Sequence, residues 1–224
     1  MAAEAPRRSP LRLAARIAAA LIGGVFALLL VLLLAYGLLN KSPDRTVDDG
    51  LRASGSVAAP ALDQPVLQRG DLGPVLGPRV GSALAGRRVS LTQLRGTPLV
   101  LNFWASWCDP CRAEAPDLQR GWTLARARGV LFLGLNMQDI TDDAHAFVRV
   151  AGVTYPSLRD RSNGVAHRWG VTGLPETFFV SAQGRVVGHV IGAVSPGQLA
   201  DGIAAARAGR AQGVQSGGDR RKTS

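Results

Sequence analysis

Two cysteines, Cys108 and Cys111, are the only ones in the 224-residue chain, and they stand three positions apart in "ASWCDPCRAE". A disulfide across so short a loop removes little chain entropy, so it makes a feeble staple. A tetrahedral zinc site asks for four ligands. There is no second cysteine pair, and His145, His167 and His189 do not stand at metal-ligand spacing. A two-thiolate copper(I) site would suit such soft ligands and stays open. The third reading is a reagent, a dithiol that exchanges with other disulfides.

The surroundings favour exchange. "PLVLNFW", Pro98–Trp104, is a continuous apolar run of the kind found in a strand buried on both faces, and Arg112–Arg128 reads as a helix with Pro116 near its first turns. The cysteines therefore fall between a strand end and a helix start, where unpaired N–H groups and the helix dipole favour thiolate. Thiolate is the nucleophile. Cys108, nearer the loop, is expected to be the exposed attacker, and Cys111, one turn in, the shielded resolver. Pro110 suits the first turn, where its missing N–H costs nothing. Trp107 flanks the pair. Asp109, besides being a first-turn acid, opposes a nearby thiolate. Glu114 follows Cys111 by three and shares its helix face. If half-buried, it could take the proton of Cys111; the plain alternative is a surface glutamate.

Further along, "GVLFLGLNM" (Gly129–Met137) reads as a second buried strand, and Thr141 is placed to cap a helix through Val150. A helix near Asn163–Trp169 follows, then two strands around "AQGR" forming a hairpin, and a last helix over Pro196–Ala208. Strands alternating with helices imply an α/β domain. In "GVTGLPETFFV" (Gly170–Val180), Pro175 stands just before a strand. A cis bond at Leu174–Pro175 would leave the Leu174 backbone free to pair with an incoming peptide.

The net charge is +10, but residues 1–40 supply four Arg against one Glu, and the stretch from Arg207 onward supplies five basic residues against Asp219. Charge concentrated at the ends is not the basic face that nucleic acid requires. Residues 17–39, "IAAALIGGVFALLLVLLLAYGLL", carry no charge and are long enough to cross a bilayer. Arg7, Arg8, Arg12 and Arg16 precede this run, which places that end in the cytoplasm and the rest outside. A cleaved signal would have a shorter apolar stretch closed by small residues, and "YGLLNKS" offers no such site. "RRSPLR" resembles a twin-arginine signal only faintly, because Pro10 interrupts it. The expected layout is a basic cytoplasmic segment 1–16, an anchor 17–39, a flexible linker 40–65, a folded domain 66–208 and a disordered basic tail 209–224.

Residues 87–208 resemble a thioredoxin-fold domain, and more narrowly the membrane-anchored TlpA/ResA/CcmG-type thiol:disulfide oxidoreductases of cytochrome c maturation. "VSLTQLRGTPLVLNFWASWCDPCRAEAPDLQ" matches that family's opening and active site, and "GVTGLPETFFVSAQGRVVGHVIG" its proline loop and hairpin. Pro175 lies 67 residues after Cys108. The resemblance implies a central mixed sheet flanked by helices, a redox disulfide Cys108–Cys111, a cis Pro175 beside it, and a thiol-tuning acid at Glu114. "GLPET" is closest to the cytochrome c branch, which puts Glu176 near the active site. It implies reduction of the Cys-x-x-Cys-His disulfide of apocytochrome c, or of other exported disulfide proteins, with re-reduction by a membrane thiol-transfer protein. No metal or other cofactor is implied. Residues 66–86 depart from the family in being longer and richer in Gly and Pro, and "VLGPRVGSALAGRRVSLTQLRG" reads as short extended pieces with turns at Gly and Pro. A peroxidase would need Pro-x-x-x-Thr-x-x-Cys, whereas Thr97 and Pro98 here precede Asn102 and Ser106.

Overall fold

The computed structural model describes residues 10–39 and 44–222. The segments 1–9, 40–43 and 223–224, which include parts of the expected cytoplasmic segment, linker and tail, lie outside the described residues. The chain divides into two units, residues 1–42 and 43–224. The first contains α1 (Pro10–Leu39), within which the 22-residue stretch Arg16–Gly37 holds an 18-residue window of mean hydropathy 3.0. At ~1.5 Å per residue this is about 33 Å, the thickness of a bilayer's hydrocarbon layer. Its large apolar side chains from Ile17 to Tyr36, Leu21, Phe26 and Leu33 among them, are exposed. A single N-terminal apolar helix of this kind has the length and composition of a membrane anchor.

The second unit begins with α2 (Thr46–Ser54), β1 (Val57–Ala58), β2 (Asp63–Gln68), α3 (Gly73–Ala85) and β3 (Arg88–Ser90). Then come β4 (Leu99–Trp104), α4 (Asp109–Arg126), β5 (Leu131–Met137), α5 (Thr141–Val150), β6 (Ser157–Asp160) and α6 (Gly164–Trp169). The chain closes with β7 (Gly173–Leu174), β8 (Glu176–Val180), β9 (Arg185–Ile191), α7 (Pro196–Ala208), β10 (Gly213–Ser216) and β11 (Arg221–Lys222). The main sheet runs β1-β9-β8-β4-β5-β6-β2-β3, with β10 also on β9, while β11 pairs with β7 apart from it. Strands β4, β5 and β6 are parallel, joined by α4 and α5; β8 and β9 return antiparallel.

Every residue of β4 and β5 is buried, because helices cover both faces. Successive side chains point to opposite faces. Asn102 therefore reaches Glu114 on α4, while Phe103 turns the other way into a cluster with Phe178 and Trp169, centroids 5.6 and 6.2 Å away.

Four expectations need correcting. Residues 44–65 are not a free linker: α2 seats Val47 and Leu51, one turn apart, in the core, and Asp48 reaches His189. Residues 73–85 form a helix despite three glycines and two prolines, since Leu76, Val80 and Leu84 recur every fourth position and are buried together. The tail is ordered through Lys222, because β10 runs parallel to β9 and β11 pairs antiparallel with β7. Thr141 does not cap α5; Ile140 takes that place without a side-chain cap, and the Asp139 carboxylate accepts from the Ile140 N–H at 2.9 Å. The hairpin and the last helix stand where the sequence put them.

Candidate active site

Cys108 is the N-cap of α4, and Asp109 and Pro110 open the helix. The Cys111 N–H donates to Cys108 Sγ at 3.2 Å, one of the orphan first-turn donors meeting the sulfur that must carry negative charge. The two cysteines are joined in a disulfide with their Cα atoms 5.2 Å apart. The expected exposure of Cys108 does not hold in this disulfide form: it is 0% exposed and Cys111 2%. Its sulfur is occupied by Cys111 and turned into the first turn of α4.

The turn before the cysteines is held by Asp139, whose carboxylate accepts from the Ser106 N–H and hydroxyl, both at 2.6 Å. Trp107 Nε1 donates to the Gln138 carbonyl at 2.7 Å, and Arg112 Nε donates to the Ser106 carbonyl at 2.9 Å. Sequence reasoning missed Asp139, which lies 33 residues from Ser106. Its only local signal was a lone acid between a buried strand and a helix.

Glu114 is 3% exposed, not a surface residue. Burial pushes its carboxyl up to about 8, although hydrogen bonds from the Val194 N–H and the Asn102 side chain, each 2.8 Å, pull the other way. Asn102 Nδ2 also reaches Thr177 Oγ1 at 3.0 Å, so the amide bridges α4 to β8. A carboxyl with this pKa takes up or releases a proton near neutral pH, on the helix face it shares with Cys111. Nearby Tyr155 is held ionisation-resistant by burial and by the Glu114 charge.

The Leu174–Pro175 peptide bond is cis. The Pro175 carbonyl accepts from the Gly192 N–H at 3.0 Å, and Leu174 is fully buried. Glu176, also 0% exposed, gathers the loop: its Oε1 accepts from the Thr172 N–H, the Thr172 hydroxyl and the Gly173 N–H at 3.1, 2.9 and 3.1 Å. Its Oε2 lies 3.1 Å from His189 Nε2, and His189 Nδ1 lies 2.7 Å from Asp48. Burial disfavours a charge on this imidazole, but the two carboxylates outweigh it and hold the pKa above its ordinary value. Neither His189 nor Asp48 stood out in the sequence, being 141 residues apart.

A redox-capable disulfide at a helix N-terminus, a buried acid on the same helix and a cis-proline loop thus adjoin the paired strands β4 and β8, α4 following the one and Pro175 preceding the other. The AhpC/TSA family model matches residues 78–189, half of the chain. The chain belongs to the AhpC/TSA family. Within that family's reach, the thiol-disulfide oxidoreductase ResA of Bacillus subtilis is 31% identical over 116 residues, 52% of this chain and 65% of ResA. The thiol:disulfide interchange protein HelX of Rhodobacter capsulatus is 39% identical over 94 residues, 42% of this chain and 51% of HelX. DsbE of Allochromatium vinosum, also named a thiol:disulfide interchange protein, is 42% identical over 94 residues, 42% of this chain and 50% of DsbE. The chain thus spans between half and two thirds of these relatives. The structure of MTB DsbF superposes with a TM-score of 0.53 at 26% identity, covering 65% of this chain and 95% of that one. A secreted Mycobacterium tuberculosis disulfide oxidoreductase gives 0.51 at 24% identity, covering 64% and 95%, and supports the fold alone. The fold is thioredoxin-like.

Proposed function

We propose that this chain is a membrane-anchored thiol:disulfide oxidoreductase that reduces disulfides of exported proteins, with apocytochrome c as its substrate. The observation that carries the reading is the Cys108–Cys111 disulfide capping α4, whose first-turn N–H meets the Cys108 sulfur. The names of ResA, HelX and DsbE agree with thiol-disulfide exchange. The choice of apocytochrome c rests on the resemblance of the "GLPET" segment to the cytochrome c branch. Arg7, Arg8, Arg12 and Arg16, ahead of the apolar run 17–39, support an N-terminus in the cytoplasm and a catalytic unit on the extracytoplasmic face.

In the reaction, the reduced Cys108 thiolate attacks one sulfur of the substrate disulfide. That S–S bond breaks, and the other substrate sulfur leaves with the electron pair as thiolate, which takes up a proton. Cys111 loses its proton to Glu114 and attacks Cys108, expelling the second substrate thiolate. The products are the Cys108–Cys111 disulfide and a substrate dithiol, two electrons having moved. A membrane thiol-transfer protein then supplies two electrons to restore the dithiol.

The test is the reduction potential of the full chain in detergent, by equilibration with a thiol buffer, followed by reaction with a disulfide-bonded Cys-x-x-Cys-His peptide. A potential near that of thioredoxin, about −270 mV, with rapid reduction of the peptide is the expected result. A potential near that of a dedicated disulfide donor, about −120 mV, would reverse the direction of electron flow and remove the cytochrome reading.

A further inference from the structure

The edge beside Pro175 is already taken. In β11, Arg221 stands opposite Leu174 and Lys222 opposite Gly173, antiparallel, on the strand that directly precedes the cis bond. Two side chains of the same segment reach acids of the site. Arg220 Nη1 donates to Thr172 Oγ1 at 2.8 Å and lies 3.4 Å from Glu176 Oε1. Arg221 Nη2 lies 3.2 Å from the Oδ2 of Asp109, the residue after Cys108.

The path to this edge is fitted rather than draped. The Gly217 and Gly218 N–H groups donate to the Ile191 and Ala193 carbonyls, both at 2.8 Å, and the Ala193 N–H donates to the Asp219 carbonyl at 3.1 Å. Gly192 has φ +101°, and a side chain there would meet the Gly218 carbonyl at 2.3 Å. A side chain at 217 would meet the Ala193 carbonyl at 2.5 Å. Glycine at these positions lets the two backbones close on each other.

We propose that residues 217–222 are the resting occupant of the peptide-docking edge at Gly173–Leu174, and that the partner which displaces them carries an extended segment with adjacent basic residues. The inference rests on the thiol-exchange reading above. One edge accepts one strand. A partner peptide pairing with Leu174 must therefore remove Arg221 from that place. Having done so, it faces Asp109 and Glu176, which have lost Arg221 and Arg220, and lysine or arginine restores both pairs. The Arg221–Asp109 pair is exposed and weak, and β11 is two residues long, so the occupant is displaceable.

The test uses the full chain in detergent with Cys111→Ser, so that Cys108 is the only thiol, and reads its alkylation by iodoacetamide. Deleting residues 217–224 keeps β10 and is expected to raise the rate about tenfold, as for a tail docked in about nine of ten molecules. The point variant Arg220→Glu with Arg221→Glu in the intact chain should do the same. Added peptide Gly-Gly-Asp-Arg-Arg-Lys should restore the slow rate to the truncated chain, and Gly-Gly-Asp-Glu-Glu-Lys should not. Equal rates with and without the tail would overturn the occupancy, and equal protection by both peptides would overturn the preference for basic partners. Alkylation needs no substrate, so failure to reduce any protein disulfide would count against the proposed function and leave this readout intact.

Discussion

The carboxyl of Glu114 on α4 accepts a 2.8 Å hydrogen bond from the side-chain amide of Asn102 on β4, inside the core and on the helix face of Cys111. Burial raises this acid to about 8 from an ordinary 4.5. The folded protein therefore binds the proton more tightly than the unfolded chain. That contribution to stability is complete below about pH 4.5 and is lost as pH rises toward 8. Glu114→Gln keeps the shape and cannot ionise. Relative to the variant, the native protein should lose on the order of 3 to 5 kcal/mol between pH 4 and pH 9, seen in urea unfolding of the oxidised form. Thiol exchange by the variant should be slower and lack a step near pH 8. Parallel stability curves would show that Glu114 does not titrate there.

Cys108 and Cys111 should differ in what they trap. Cys111→Ser leaves the attacking thiol without its resolver, so mixed disulfides with substrate should accumulate on non-reducing gels. Cys108→Ser removes the attacker and should trap none. Equal trapping by both variants would cancel the assignment of roles.

Much of the fold could be read because its elements carry their signal locally. The apolar runs of β4 and β5, the turn at Gly184 and Pro196 at the head of the last helix each mark an element within ten residues, and each is in place. Where composition and position disagreed, the reading failed. Residues 73–85 look like turns by their glycines and prolines, and the buried row Leu76, Val80, Leu84 was the signal to weigh against them. Residues 46–54 are polar enough to pass for linker, and only Val47 and Leu51 are buried. Strands β10 and β11 are held by backbone pairing, which leaves no mark on side-chain pattern. In the site, Cys108, Cys111 and Pro175 announced themselves by motif. Asp139, His189 and Asp48 did not, since each acts on a residue more than thirty positions away.

Packing between α7 and β8 gives a prediction independent of redox chemistry. A Cβ on Gly202 would lie 2.2 Å from Phe179 Cζ, with two further ring atoms at 2.3 and 2.4 Å. Phe179 is fully buried, so its ring has little room to yield. Gly202→Ala should destabilise by roughly 1–3 kcal/mol. At about 2–4 °C per kcal/mol for a unit of this size, melting should fall by about 2–12 °C. An unchanged melting temperature would mean that α7 can shift away from the sheet.

His189 ties three parts of the molecule together: Asp48 of α2 on one nitrogen, Glu176 of the proline loop on the other, and through Glu176 the Arg220 of the tail. Donating from both nitrogens requires the imidazolium form. With its pKa held above 6.5 by the carboxylates, the folded protein again binds the proton more tightly than the unfolded chain. This stabilisation is complete below about pH 6.5 and is lost as pH rises through the folded value. His189→Gln leaves Glu176 buried with one partner fewer, so at pH 6 the variant should be less stable by about 3 kcal/mol. The gap should narrow as pH rises through the folded value, where the native imidazole also loses its charge. Denaturant unfolding of both proteins at pH 6, 7.5 and 9 measures it. A gap that stays constant across that range would mean that His189 holds α2 to the loop by shape, as a neutral ring stacked 3.8 Å from Phe178.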